Sequence, residues 1–205
     1  MTSECEQSIG FLSWGLPALT GLVGVFIGAF LSGRQTQKLR KQSYLEKQLN
    51  ELYSPLLGLR KEIVMRGKLR VKIQSTADST WRELCEEARK TGGPEATKKL
   101  TDQRYEEFGN IINYDNKVLE EQLLPAYKQM ASVIRHNLWL AEAETSEYFQ
   151  ILLEFIDIWD RWLDNSMPGE VWEKLNHTEE KLQPFYEHLE NTHKLLTEKL
   201  ASGDI

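Results

Sequence analysis

Lys and Arg are missing from the first 33 residues, and no charged side chain falls between Glu6 and Arg34. A cleaved secretory signal carries a basic leading segment, so this acidic start argues against one. Strand-like alternation and two-residue hairpin signals are also missing, which removes β architectures. There is no P-loop, glycine-rich dinucleotide turn, nucleophile elbow, zincin helix or kinase motif set. Gly92 and Gly93 follow no strand and read as a linker. No motif calls for a cofactor, and no catalytic constellation stands out.

What is present begins with one uncharged apolar run of 24 residues, Ile9 to Ser32. At about 1.5 Å rise per residue it makes a helix of roughly 36 Å, enough to cross a hydrocarbon core with some tilt. Only a helix satisfies its own backbone in lipid, and spanning helices tolerate a proline such as Pro17. Arg34, Lys38, Arg40 and Lys41 follow immediately, whereas Glu4 and Glu6 precede. The positive-inside rule then puts residues 1–8 outside and the rest in the cytoplasm. The chain divides into that short outer segment, a transmembrane helix over 9–32, a basic juxtamembrane helix or stalk over 33–54, and a cytoplasmic bundle over 55–205. Cys5 and Cys85 fall on opposite sides and cannot pair within one chain. Thr20, Gly24, Gly28 and Ser32 recur every four residues, and Gly24 to Gly28 is a GxxxG. Such a stripe lets two helix backbones approach closely, so helix pairing is an expected use.

Charge is strongly polarised. Residues 34–72 hold eleven basic and three acidic side chains, a balance of +8, and residues 73–205 hold 14 and 26, a balance of −12. Anionic inner-leaflet lipid attracts basic segments of this kind, and Arg34 to Lys41 is the stretch expected to face it. Arg60, Lys61, Arg66, Lys68, Arg70 and Lys72 have three possible counterparts: lipid, an acidic partner, or the acidic rest of this same domain. Nucleic acid is not expected, because the basic stretch has no interleaved aromatics and the domain is acidic.

Beyond the anchor the pattern is all-α. Leu45, Leu49, Leu52, Leu56, Leu59 and Ile63 form a heptad-like stripe that Pro55 interrupts, predicting a kink or two short helices. Ser79 is expected to cap a helix reaching Arg89, and Thr91-Gly-Gly-Pro94 is the clearest break. Leu119, Leu123, Tyr127, Met130, Ile134 and Leu138 make one face of a helix over 116–142, kinked or started by Pro125. Thr145-Ser146 reads as a cap for a helix to Asp164 with Leu152, Phe155 and Trp159 inward. Pro168 opens a short helix to Leu175. Asn176-His-Thr-Glu179 fits an N-cap for a last helix to Ala201, with Gly203 just past its end. The sum is a bundle of four or more helices.

Two places invite a chemical reading. Glu190-Asn-Thr-His193 has the Glu-x-x-His spacing of di-iron bundles, where i and i+3 share a helix face. Its ligand set is incomplete, since none of the other three histidines has Glu three residues before it. A hydrogen-bonded core histidine is the plainer reading. Asp157, Trp159, Asp160, Arg161 and Trp162 gather aromatic and charged groups that suit a partner interface. The bland reading is a core Trp159 with a solvated i, i+4 pair between Asp157 and Arg161.

The stretches LEFIDIWDRWL, PGEVWEKL and HTEEKLQPFYEHLE between Leu153 and Glu190, together with Leu123 to Glu142 and Glu51-Leu-Tyr-Ser-Pro-Leu56, resemble a loose group of uncharacterised bacterial helical proteins. Some of that group carry an N-terminal membrane span, so the resemblance implies a helical fold and a bacterial inner membrane as home. It brings no catalytic residues with it. The expected function is an interaction, scaffold or regulatory module at the cytoplasmic face, partnered by the bilayer and by another protein or a second copy. The alternative is a bundle that binds a small ligand or metal, with enzymatic activity one form of it. A sensor reading would have to take its input from the bilayer or a partner helix.

Overall fold

The computed structural model describes residues 32–175 and 177–203. Among these residues there is no strand, so the all-α expectation holds. Two compact units are present: Met1–Glu46 with Lys199–Ile205, and Lys47–Glu198. In the first, the described residues open with helix α1, 32–47, whose side chains are exposed except for a half-buried Leu45. Ser32, Arg34, Lys38, Arg40 and Lys41 all lie on exposed positions of this helix. Thr20, Gly24, Gly28 and nearly all of the expected span lie outside the described residues. Among those described, no helix is long and apolar enough to cross a membrane.

The second unit begins earlier than residue 55. A π-helical turn, Gln48–Tyr53, buries Gln48, Leu52 and Tyr53. That part of the expected juxtamembrane stalk is therefore packed into the bundle. Pro55 explains the wide turn. Proline has no N–H to close an i→i−4 bond and its ring crowds the carbonyl one turn back. The helix relaxes, and the Ser54 N–H reaches the Leu49 carbonyl, five residues earlier. Pro125 repeats the device: a π turn over Leu119–Leu123 ends with the Leu124 N–H on the Leu119 carbonyl. Both prolines mark real helix irregularities, and in each the stripe is shifted rather than broken.

Between these turns runs α2, Ser54–Val118, interrupted at Gly93. Gly93 has φ 66° and ψ −154°. Residues with a Cβ rarely adopt that backbone, and the residue before a proline is in any case driven out of the helical region. At Gly92 an added Cβ would sit 2.6 Å from the Ala96 Cβ, so this position also has no room for a side chain. The chain doubles back here. Trp81 meets Tyr105 and Phe108 with ring centroids 6.3 and 5.0 Å apart. Further down, Arg70 Nε reaches Asp115 Oδ2 at 3.5 Å and Arg66 bonds Gln122. The two limbs, 54–92 and 94–118, thus form an antiparallel hairpin. Ser79 lies within the first limb, where its hydroxyl donates to the Thr76 carbonyl at 2.9 Å; it caps nothing.

Helix α3, Leu124–His136, buries Leu124, Tyr127, Met130 and Ile134. It stops at Asn137, whose side-chain amide donates to the Glu51 and Val133 carbonyls at 3.0 and 3.1 Å. A 3-10 turn, Leu138–Leu140, then breaks the register of the predicted stripe. Leu140 takes the inward position and Leu138 is left exposed. Helix α4, Ala143–Leu163, carries Leu152, Phe155 and Ile156 into the core. The short α5, Gly169–Trp172, follows Pro168. A 3-10 turn, Glu179–Leu182, leads into α6, Gln183–Ser202, which buries Phe185, Tyr186, Leu189 and Leu196. Thr178 stands at the N-cap of that 3-10 turn without a side-chain cap bond, and Asn176 of the expected capping motif lies outside the described residues.

Candidate functional site

The aromatic segment of α4 splits into a wall and a surface. Asp157 and Arg161 pair on the exposed face at 2.7 Å, and Asp160 takes Lys128 at 2.7 Å. Trp159 points the other way. Its Nε1 donates to the His177 carbonyl at 3.1 Å, and its ring meets Trp172 edge-on at 5.5 Å. Trp162 stacks on Trp172 at 4.7 Å, and Trp172 stacks on His177 at 3.5 Å. The brief helix α5 exists to deliver Trp172 between them. Its indole Nε1 is the one buried side-chain polar atom without a hydrogen-bond partner among the described residues.

This wall bounds a cavity of about 780 Å³. Leu119, Leu123 and Leu124 with Tyr127 and Phe155 form its floor, and Val64, Gly67 and Val71 its far side. Arg60, Lys68 and Arg70 line it as well, against a single carboxylate, Glu179. Arg60 is held on two sides: Nη1 is 3.0 Å from Glu179 Oε1, and the guanidinium lies 3.6 Å over the Tyr186 ring. The Tyr186 hydroxyl donates to the same Glu179 oxygen at 3.3 Å. Burial first, and then the Glu179 charge, push the Tyr186 hydroxyl well above the ordinary phenol range. Burial also raises Tyr127, with Tyr186 and Glu179 adding to the shift. Both phenols are therefore neutral hydrogen-bond donors at any physiological pH. Arg70 engages Asp115, so of the three cations Lys68 alone has no ion-pair partner among the described residues.

A second cluster is buried at Tyr53 and Thr145 and opens to the surface at Glu144. Thr145, read from the sequence as a helix cap, is fully buried. Helix α4 is instead preceded by Glu142 with no side-chain cap. The Thr145 hydroxyl lies 3.0 Å from the Tyr53 hydroxyl and 2.7 Å from His188 Nε2. His188 Nδ1 is 3.4 Å from Glu144 Oε2. The Tyr53 oxygen also accepts the Glu142 N–H at 3.2 Å. Hydroxyl, imidazole and carboxylate follow the order of a nucleophilic triad. With 0 % of Thr145 exposed, no substrate reaches the hydroxyl. The Tyr53, Thr145 and His188 contacts tie the first π turn to α4 and α6 through buried polar groups.

The metal alternative has no ligand set. His193 Nε2 lies 3.2 Å from the Ser54 hydroxyl, and Glu190 is exposed. Among the described residues no three His, Cys, Asp or Glu side chains gather to hold an ion. The basic stretch resolves in favour of the third possibility for Arg60 and Arg70, which turn to acids of this same domain. Lys68 and Glu179 are visible in the sequence only as a basic residue and a capping acid, and Tyr186 not at all; their meeting with Arg60 depends on the folded chain.

The hairpin beyond Ile63 differs from the rest. From 64 to 114 no side chain is buried. Met65, Leu69, Ile73 and Ile112 are exposed along it, and a shallow groove of about 400 Å³ between the limbs is lined by Leu69, Ile73, Ala77, Phe108 and Ile111. No family model matches the chain, and neither a curated protein nor a solved structure matches it.

Proposed function

We propose that this chain is a single-pass, membrane-anchored helical module that gathers copies of itself at the cytoplasmic face of a bacterial inner membrane. The observation that carries the reading is the unfinished hairpin arm. Two helices alone bury one narrow seam, and this arm leaves Leu69 51 % and Met65 55 % exposed on a line that continues through Ile73. A second hairpin laid on that line would make a four-helix bundle and cover these faces. Apolar patches of this kind on a soluble surface mark interaction sites. The Ile9–Ser32 run supports the anchor, and the exposed Arg34, Lys38, Arg40 and Lys41 suit anionic lipid. The Thr20, Gly24, Gly28, Ser32 stripe would pair two spans in the same assembly.

Native mass spectrometry of the full-length protein, gently extracted from membranes, tests this. The expected species is two chains, reduced to one by the double change Leu69→Glu and Ile73→Glu. A second, different protein in the complex would keep the scaffold and replace the occupant. A bare single chain before any substitution sinks the interaction reading. Release of the protein by an alkaline carbonate wash would remove the anchor.

A further inference from the structure

The geometry points to the cavity between Trp172 and Lys68 as a binding site for a small anion carried on a flat aromatic body. Its volume, about 780 Å³, lies within the usual range for small-molecule sites, which are mostly apolar with a few placed polar groups. The aromatic lining is Tyr127, Phe155, Trp159, Trp172 and His177; Trp172, stacked between Trp162 and His177, presents its edge. A planar ligand gains offset or edge-to-face contacts there that an alkyl chain does not.

Charge selects the other half of the ligand. Arg60, Lys68 and Arg70 face one carboxylate among the lining residues. Arg60 and Arg70 are already paired, which fixes them in place. Lys68 has no such partner among the described residues and sits on a flexible stem at the exposed edge. An incoming anion therefore meets an unpaired ammonium backed by two oriented guanidinium groups, beside an apolar wall that strengthens the attraction. The Trp172 Nε1 adds a buried donor without an acceptor, an arrangement that costs stability until an acceptor arrives.

The full-length chain, reconstituted in phosphatidylcholine nanodiscs, is titrated calorimetrically with 2-naphthoate, neutral 2-naphthamide and laurate. Naphthoate is expected to bind saturably at one site per chain. Naphthamide should bind about tenfold more weakly, the size of one charge-assisted hydrogen bond. Lys68→Ala should remove that difference by weakening naphthoate alone. Trp172→Ala should weaken both aromatic probes. Because loss of Trp172 also loosens the wall, Gly67→Leu supplies a second variant. Gly67 lines the cavity and an added Cβ there meets nothing within 4 Å, so leucine keeps the helix while filling the space. It should abolish naphthoate binding without lowering the melting temperature.

No saturable naphthoate heat, or binding unchanged in both Lys68→Ala and Gly67→Leu, overturns the site. Laurate bound more tightly than naphthoate overturns the aromatic class.

Discussion

The near and far parts of α2 share one helix and obey different physics. Near the bundle, Leu56 and Ile63 are buried against other helices. Past Gln74, where the helix leaves the cavity, it has only its own returning limb for company, and nothing from 64 to 114 is buried. A helix is stabilised mainly by tertiary burial of one face, and local propensity adds little. The arm thus keeps its form through a long hairpin seam, aromatic contacts around Trp81 and surface pairs such as Arg104–Glu107. The bundle keeps its form through close packing. The contrast locates where a partner can add stability and where it cannot.

The sharpest way to break the contrast is to truncate the core. Phe185 is fully buried at the start of α6. Phe185→Ala is expected to cost about 3–5 kcal/mol, whereas Leu69→Ala on the arm should stay within roughly 0.5 kcal/mol. Equal losses in urea denaturation would mean that the arm is packed as tightly as the bundle. Next in size is Thr145→Val, which removes the hydroxyl between Tyr53 and His188. Losing the hydroxyl that Tyr53 and His188 share should cost about 1–3 kcal/mol, read from the denaturation midpoint at neutral pH.

Gly93→Ala probes the arm's tip, where a Cβ at φ 66° is strained by roughly 1–2 kcal/mol. Hydrogen exchange should show faster opening near the tip and unchanged protection in α3 and α6. Uniform acceleration would show that arm and bundle unfold as one. The alkaline limb of the stability curve offers a smaller effect. Tyr127 and Tyr186 are raised when folded, while an unfolded phenol ionises near about 10. Their contribution is full below that pH and is lost as pH rises through the folded values. The pair Tyr127→Phe and Tyr186→Phe should flatten the decline above about pH 10; an unchanged slope would put its cause elsewhere. Smallest of all, Asp157→Asn on the exposed α4 pair should leave the melting temperature where it was.

Much of the local order was legible. Leu152, Phe155, Leu189 and Leu196 face inward as their spacing requires, and Pro55, Pro125 and Gly93 disrupt the helices at the positions they occupy. The candidate site was half legible. Trp159 and Trp162 stood out as surplus aromatics, but Trp159's place in the cavity wall and Trp162's stacking behind it depend on Trp172 and His177, which lie outside α4. Thr145 was misread because Ser and Thr before an apolar run usually cap a helix. Nothing local reveals that the hydroxyl has a tyrosine 92 residues away as partner.

By itself, then, the sequence determined the all-α class, the phase of each helix, the places where helices bend and the polarity of charge along the chain. These follow from backbone sterics and side-chain periodicity, which act over one or two turns. Tertiary structure decided that the limbs around Gly93 fold back on each other, that Arg60 pairs with Glu179, and that Trp159, Trp172 and Phe155 line one cavity with Lys68 at its edge. Those outcomes depend on which faces meet once the chain closes, and burial rewards a meeting of faces without regard to their distance in sequence.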